Sequence, residues 1–429
     1  MKRPQAFVLR LRIATVLVIG FAWLASNQAN AESQRPARSN SLSAERLADV
    51  SAYMRNEVSA GKIAGAVLLI QQHGRPVLFE SFGMRDVEKQ SPMTSDTIFR
   101  LYSMSKAVTS VAAMMLVDDG KLSLDDPLSK FIPAFAETKV ATEKRDENGK
   151  PTLVLEPLAR PITIRDLLRH TSGLTYGFYG DTPVRKLYAN AGLFEGDIDN
   201  AQFAERLAKL PLAEQPGTLW DYGHSTDIVG RVIEMVSGKS LYEFEKERLL
   251  DPLGMSETRF YVEDSKRARV AEPLAVDRFK GPIAGLVDPI LHRRWESGGA
   301  GMVGTIGDYG RFAQMLLNGG VLDGHRYLKR ETVALMTSDQ IGPETKIARD
   351  HLYFPGEGSG YGFGFAVRVT ATAMRPWPVG EYRWDGVGGT FFFIDPKDDL
   401  FAICLMQSPS QRERIQTELK TLIYQALNH

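Results

Sequence analysis

The stretch LYSMSK, residues 101–106, places two serine hydroxyls and one amine within four residues, between two apolar runs. If the segment is helical, Ser103 and Lys106 stand at i and i+3 and share a face. A lysine there can hydrogen-bond the serine hydroxyl, and burial that lowers its pKa lets it take the hydroxyl proton. A serine at a helix start also places its own N–H where the helix dipole favours a developing anion. S-x-x-K nevertheless occurs by chance in many proteins. Taken alone, it fits two polar groups on a solvated helix face as well as a nucleophile with its activator, so its surroundings must decide.

Working outward, SMSKAVTSVAAMMLVDDG predicts a helix that Gly120 stops. Upstream, RLADVSAYMRNEVSAG has helical periodicity, and AGAVLLIQQ and PVLFESFG are strand-like runs joined at His73-Gly74, a hairpin signal. Downstream, ETKVATEKRDENGKPTLVLEPL predicts an exposed hairpin near 137–158, turning at Asn148-Gly149. From about 160 to 295 the pattern is mostly helical: ITIRDLLRH, NAQFAERLAKL, STDIVGRVIEMVSG and SLYEFEKERLLDPLG. After 355 it returns to strands in GYGFGFAVRVT, EYRWDGV, GTFFFIDP and LFAICLMQ, and RERIQTELKTLIYQAL closes the chain as a helix. Strands at both ends with helices between imply an α/β (α+β) fold. One antiparallel sheet is built from both chain ends and flanked by helices, with a mainly helical domain inserted. The boundaries are 43–110 and 296–429 for the sheet domain and 111–295 for the insertion. The crevice between them is where a site is expected.

The chain has 429 residues, with 52 basic and 52 acidic side chains and no basic stripe, which argues against nucleic acid as a partner. MKRPQAFVLRLR carries four cations, and the apolar run IATVLVIGFAWL and the small-residue tripeptide Ala29-Asn30-Ala31 follow. This is the order of a secretory signal peptide, residues 1–31, with a flexible polar leader over 32–42. The apolar run is short of the roughly 20 residues that span a bilayer, so no stable membrane insertion is expected after cleavage. The one cysteine, Cys404, reads as a buried strand residue, and no internal disulfide can form. The reading is a bacterial periplasmic or secreted protein.

Two further boxes give LYSMSK its meaning. Tyr222-Gly223-His224 precedes an amphipathic helix, and Trp384-Asp385-Gly386 opens a glycine-rich turn into an apolar strand. S-x-x-K, a Tyr-x-Asn-like box and a Lys-Thr-Gly-like strand, in that order, resemble the layout of the serine β-lactamases and penicillin-binding proteins. ITIRDLLRHTSGL (162–174) and SGGAGMVGTIGDYGRFAQMLLNGG (297–320) resemble segments of the same superfamily, so the likeness covers nearly all of the chain beyond the leader. It is nearest to the family VIII carboxylesterases, which resemble class C β-lactamases. Where class C has a lysine that faces a substrate carboxylate, this chain has Trp384, an apolar face with one N–H donor. His224 stands where class C has asparagine.

The resemblance implies acyl transfer through a covalent intermediate on Ser103, with Lys106 and Tyr222 as the base pair. Free tyrosine and lysine titrate near 10, so neither serves as a base at pH 7 unless the two share a proton in a buried site. The pair titrates as a unit, and its resting proton is left open. The implied oxyanion hole is the backbone N–H groups of Ser103 and Val387, with Gly386, Gly388 and Gly389 allowing close approach to substrate. Trp384, Gly386, His224, Tyr176 and Phe178 are the candidate substrate-binding residues, and His170 is read as holding a loop. The expected substrates are uncharged short- to medium-chain acyl esters, with weak β-lactam hydrolysis as a side activity. Alternatives are a class C-type β-lactamase or D,D-peptidase, an acyltransferase, and a non-catalytic binding protein of the same fold. Gly238-Lys239-Ser240 fails as a P-loop because Ile233 stands where a glycine is required. No G-x-S-x-G and no H-E-x-x-H occur. Neither a metal nor a cofactor is expected.

Overall fold

The computed structural model describes residues 40–149, 151–280, 288–342, 345–347, 355–373 and 375–427. The predicted signal peptide and most of the leader lie outside these residues. Ser41–His429 form one compact unit.

Helix α1 (Ala44–Ser59) begins at Ser43, whose hydroxyl accepts the Arg46 N–H. Strands β1 (Gly65–Gln72) and β2 (Arg75–Asp86) follow as a hairpin, and β3 (Ser91–Pro92) pairs with β2. His73 and Gly74 both have positive φ (52° and 70°), the turn whose twist matches that of the flanking strands. Three long helices then matter for the site: α2 (Ser105–Asp118), α3 (Ser225–Ser237) and α4 (Ile306–Leu317). The chain returns to strands in β4 (Ser359–Tyr361), β5 (Ala366–Arg368), β6 (Tyr382–Asp385), β7 (Phe391–Asp395) and β8 (Leu400–Met406). Helix α5 (Arg412–Gln425) ends it.

All eight strands form one antiparallel sheet in the order β4-β5-β6-β7-β8-β1-β2-β3. The last strand from one end of the chain pairs with the first from the other, from Ala66 opposite Met406 to Gln72 opposite Leu400. The sheet from both chain ends is therefore as the sequence predicts. Strand pleating sorts the side chains onto two faces. Ala66, Leu68, Ile70, Phe391, Phe393, Ala402 and Cys404 pack with Leu47, Val50, Ile415 and Leu419 of α1 and α5. Val67, Leu69, Phe392, Phe401, Ile403 and Leu405 join the larger cluster that holds α2, α3 and α4. The sheet is thus the middle layer of three.

The helical middle contributes Ile164–Leu168, Pro183–Asn190, Asn200–Ala208 and Leu241–Glu245 besides α3. Its apolar side chains belong to the same cluster as α2, and α2 runs unbroken through residue 110, where the sequence reading divides the domains. The exposed hairpin is present as Lys139–Arg145 paired with Pro151–Pro157. Two local expectations need correcting. Ser103 lies in a single 3₁₀ turn (Tyr102–Met104), and the α-helix proper starts at Ser105. GYGFGFAVRVT is two strands rather than one, because Gly364 (φ 93°) reverses the chain between β4 and β5.

Candidate active site

Ser103 sits where an extended segment turns into α2, and three contacts fix the turn. Tyr102 adopts a left-handed conformation (φ 48°), which costs a non-glycine residue about 1–2 kcal/mol. The Ser105 hydroxyl donates to the Tyr102 carbonyl (2.6 Å) and accepts the Met302 N–H (3.1 Å). Thr390 Oγ1 donates to the Leu101 carbonyl (3.2 Å), tying the turn to the start of β7. The Ser103 side chain is left at the edge of solvent, 7 % exposed.

Lys106 is the charged centre. It is fully buried, and its Nζ donates to Ser103 Oγ (3.3 Å), Tyr176 Oη (3.1 Å) and the Gly299 carbonyl (2.7 Å). It also lies 4.5 Å from the ring centroid of Tyr222. Burial pushes its pKa down to about 7, against the opposing pull of the Asp227 charge. An amine held there exchanges its proton readily at neutral pH, as a base for a serine hydroxyl must. Tyr222 is buried beside it, and its phenol oxygen accepts the indole N–H of Trp384 (3.2 Å). The three sequence boxes thus converge on one point.

A second layer sets these groups. Asp227, in the first turn of α3, accepts hydrogen bonds from Ser297 Oγ (2.5 Å) and the Gly299 N–H (3.1 Å) and pairs with His224 Nδ1 (2.9 Å). Burial acts to raise its carboxyl, but the His224 hydrogen bond and the neighbouring positive charges hold it below the ordinary value. Asp227 therefore anchors Gly299, the residue whose carbonyl receives Lys106. Arg185, also buried, donates from Nη2 to both carboxylate oxygens of Asp221 (2.7 and 2.9 Å) and from Nη1 to the Tyr176 carbonyl (3.2 Å). It ties the segment before Tyr222 to the one carrying Tyr176.

Val387 lies in the turn after β6. A Cβ on Gly386 would meet Thr390 Oγ1 at 2.4 Å and the Leu101 carbonyl at 2.5 Å, and one on Gly388 would meet the Tyr102 ring at 2.1 Å. Those two positions admit only glycine, and they let the Val387 segment close onto the Ser103 turn. Among the described residues, no hydrogen bond uses the Val387 N–H.

Of the candidate substrate-binding residues, Tyr176 is buried on Lys106, and Phe178 is 57 % exposed and stacked on the Tyr176 ring (4.5 Å). His224 faces Asp227 and meets Tyr176 edge-on (4.4 Å). His170 is buried with its ring 4.8 Å from that of Tyr222, and burial, with the Lys106 charge, pushes its pKa well down. Sequence reasoning missed Asp227, Gly299 and Arg185. The i+3 spacing of His224 and Asp227 at a helix start is a signal for the first, while the other two depend on tertiary approach alone. The described residues contain no group of histidine, cysteine and carboxylate side chains able to hold a metal.

Comparison with known proteins places this arrangement. Residues 50–425 match the family model described as Beta-lactamase. The chain belongs to the beta-lactamase family. Within it, the chain is 30 % identical to Esterase EstB of Burkholderia gladioli over 358 residues, 78 % of this chain and 83 % of that protein. It is 35 % identical to a lovastatin esterase of Penicillium rubens over 301 residues, 67 % of this chain and 71 % of that protein. Among solved structures it resembles EstCE1, described as a hydrolase with promiscuous acyltransferase activity, with a TM-score of 0.73 and 28 % identity over 89 % of this chain and 99 % of that one. The fold of this beta-lactamase-family protein is thus of the β-lactamase/transpeptidase type, on the side of the family that holds esterases.

Proposed function

We propose that this protein is an exported serine carboxylesterase acting on uncharged short- to medium-chain acyl esters. The observation that carries the reading is Lys106, buried with its amine on Ser103 Oγ and its pKa near neutrality. Ser103 Oγ attacks the ester carbonyl carbon while its proton passes to the Lys106–Tyr222 pair. The carbonyl oxygen becomes an anion held by the N–H groups of Ser103 and Val387. Collapse breaks the carbon–alkoxy bond, and the pair returns the proton to the departing alcohol. Water then attacks the acyl-enzyme, with the same pair taking and returning its proton.

The choice of esters over lactams rests on Trp384. By resemblance it occupies the place of a lysine that class C enzymes present to substrate, and here the indole is buried and donates to Tyr222. A site without that cation loses a charge-assisted contact to a β-lactam carboxylate. The same acyl-enzyme yields transfer if an alcohol replaces water, and the name of the similar EstCE1 makes that the second reading. Export rests on the amino-terminal sequence.

The test is turnover of p-nitrophenyl butyrate and nitrocefin by wild type and Ser103→Ala, each with and without an alcohol acceptor. Ester turnover should exceed lactam turnover, and both should fall at least about 10³-fold in the variant. Efficient nitrocefin hydrolysis would overturn the role given to Trp384. Activity surviving in Ser103→Ala would place the nucleophile elsewhere. Failure of a fluorophosphonate to add mass to the folded protein would favour a binding protein.

A further inference from the structure

We propose that the face of the sheet turned away from Ser103 carries a binding site for a small oxyanion of the size and charge of inorganic phosphate. Strand β6 divides the two sites. Trp384 pairs across from Phe392 and packs with the cluster around Tyr222. Arg383 and Asp385 pair across from Phe393 and Phe391, which belong to the layer under α1 and α5. There a cavity of about 180 Å³ opens between β6 and α5, lined by Arg375, Trp377, Arg383, Asp385, Arg412 and Lys420.

The charges around this cavity do not balance internally. Lys420 pairs with Glu381, and Arg412 is near Asp385 (3.6 Å) and Glu413 (3.4 Å). Arg375 and Arg383 make no ion pair among the described residues, and neither does Arg368 behind them. Three cations crowd one indole: Lys420 Nζ lies 3.7 Å from the Trp377 ring centroid, and the Arg368 and Arg375 guanidinium carbons lie at 5.2 and 5.7 Å. The indole face offsets part of that charge but supplies no hydrogen-bond acceptor. Arg368 is 2 % exposed, and its Nε and Nη2 have no hydrogen-bond partner. Buried polar groups left in that condition are uncommon and call for a partner. Burial and the neighbouring guanidiniums push Arg368 down to about 10, and burial pushes Lys420 to about 7. An oxyanion in the cavity supplies the negative charge that the lining guanidiniums of Arg375 and Arg383 lack, since a tetrahedral group presents several oxygens to guanidinium forks.

The test is thermal unfolding of the whole protein at pH 7.5 with inorganic phosphate titrated in at constant ionic strength, sodium chloride making up the balance. Phosphate should raise Tm saturably, by roughly 2 °C or more once well above its Kd. Arg375→Gln removes a partly exposed fork, and Gln416→Glu, at a residue of α5 that also lines the cavity, places a carboxylate there in the ligand's stead. Both should abolish the saturable rise and leave p-nitrophenyl butyrate turnover within twofold of wild type. An absent rise would overturn the proposal. So would an unsaturating rise of equal size in all three proteins, which is general salting behaviour.

Discussion

Lys106 shows how much one buried amine decides. Its lowered pKa makes the base form available at neutral pH, so kcat/KM for an ester should rise with pH through an apparent value near 7 and then level off. The sign follows from which form accepts a proton, since below that value the ammonium cannot. Neither His170 nor Asp227 produces this limb. Burial keeps His170 neutral well below it, and Asp227 is held ionised. Lys106→Arg should abolish turnover at every pH, because a guanidinium does not deprotonate in this range. A limb that persisted in that variant, read from a pH–rate profile, would assign it to another group. The same shift acts on stability. Between about 7 and the unfolded lysine value of ~10.4 the unfolded chain binds the extra proton, so stability rises with pH across that window. Ser103, Lys106 and Tyr222 are legible in the sequence because each sits in a short box in a fixed order. The Tyr176 phenol on Lys106 is not, because LTYGFYG is brought to the amine by tertiary contacts such as the Arg185–Asp221 pair, across 36 residues of chain.

Among the elements, the turn after β6 is the most exacting. Gly388 leaves no room for a Cβ against the Tyr102 ring (2.1 Å). Gly388→Ala should therefore push the Val387 N–H away from the Ser103 turn. Misplacement on the ångström scale lowers kcat by roughly 10²-fold, and overpacking costs about 1–3 kcal/mol. Steady-state kinetics should show the loss in kcat more than in KM, because the oxyanion forms only in the transition state. The hairpin at His73-Gly74 was readable because both turn residues suit positive φ and apolar, strand-like runs flank them. The break at Gly364 was not. Its aromatic neighbours alternate like one strand, and the need for glycine comes from its positive φ (93°) and from Ser110, whose side chain a Cβ would meet at 2.6 Å. No local pattern contains that neighbour. The start of α2 was misplaced for a similar reason, since the contacts that hold Tyr102 in its turn come from Met302 and Thr390.

Across the whole molecule, the sheet is the frame on which both faces depend. Its back layer rests on α5, where Leu419 is fully buried against the strands. Leu419→Ala should cost about 2–5 kcal/mol. Denaturant unfolding should show this as a lower midpoint at unchanged m-value, with the pH profile of the surviving native enzyme unmoved. Strands first and last in the chain made a shared sheet legible. The strand order was not, because which strands become neighbours is set by packing between segments more than 300 residues apart, as in Ala66 opposite Met406. That pairing brings the two ends of the unit together: Leu42 bridges Leu427, and the Ser43 N–H donates to the Ala426 carbonyl (2.8 Å). The fold is nearly a closed loop. A short peptide joining these ends, with a cut at the exposed turn Asp146–Gly149, would give a circular permutant in which every strand keeps its neighbours and Ser103 its surroundings.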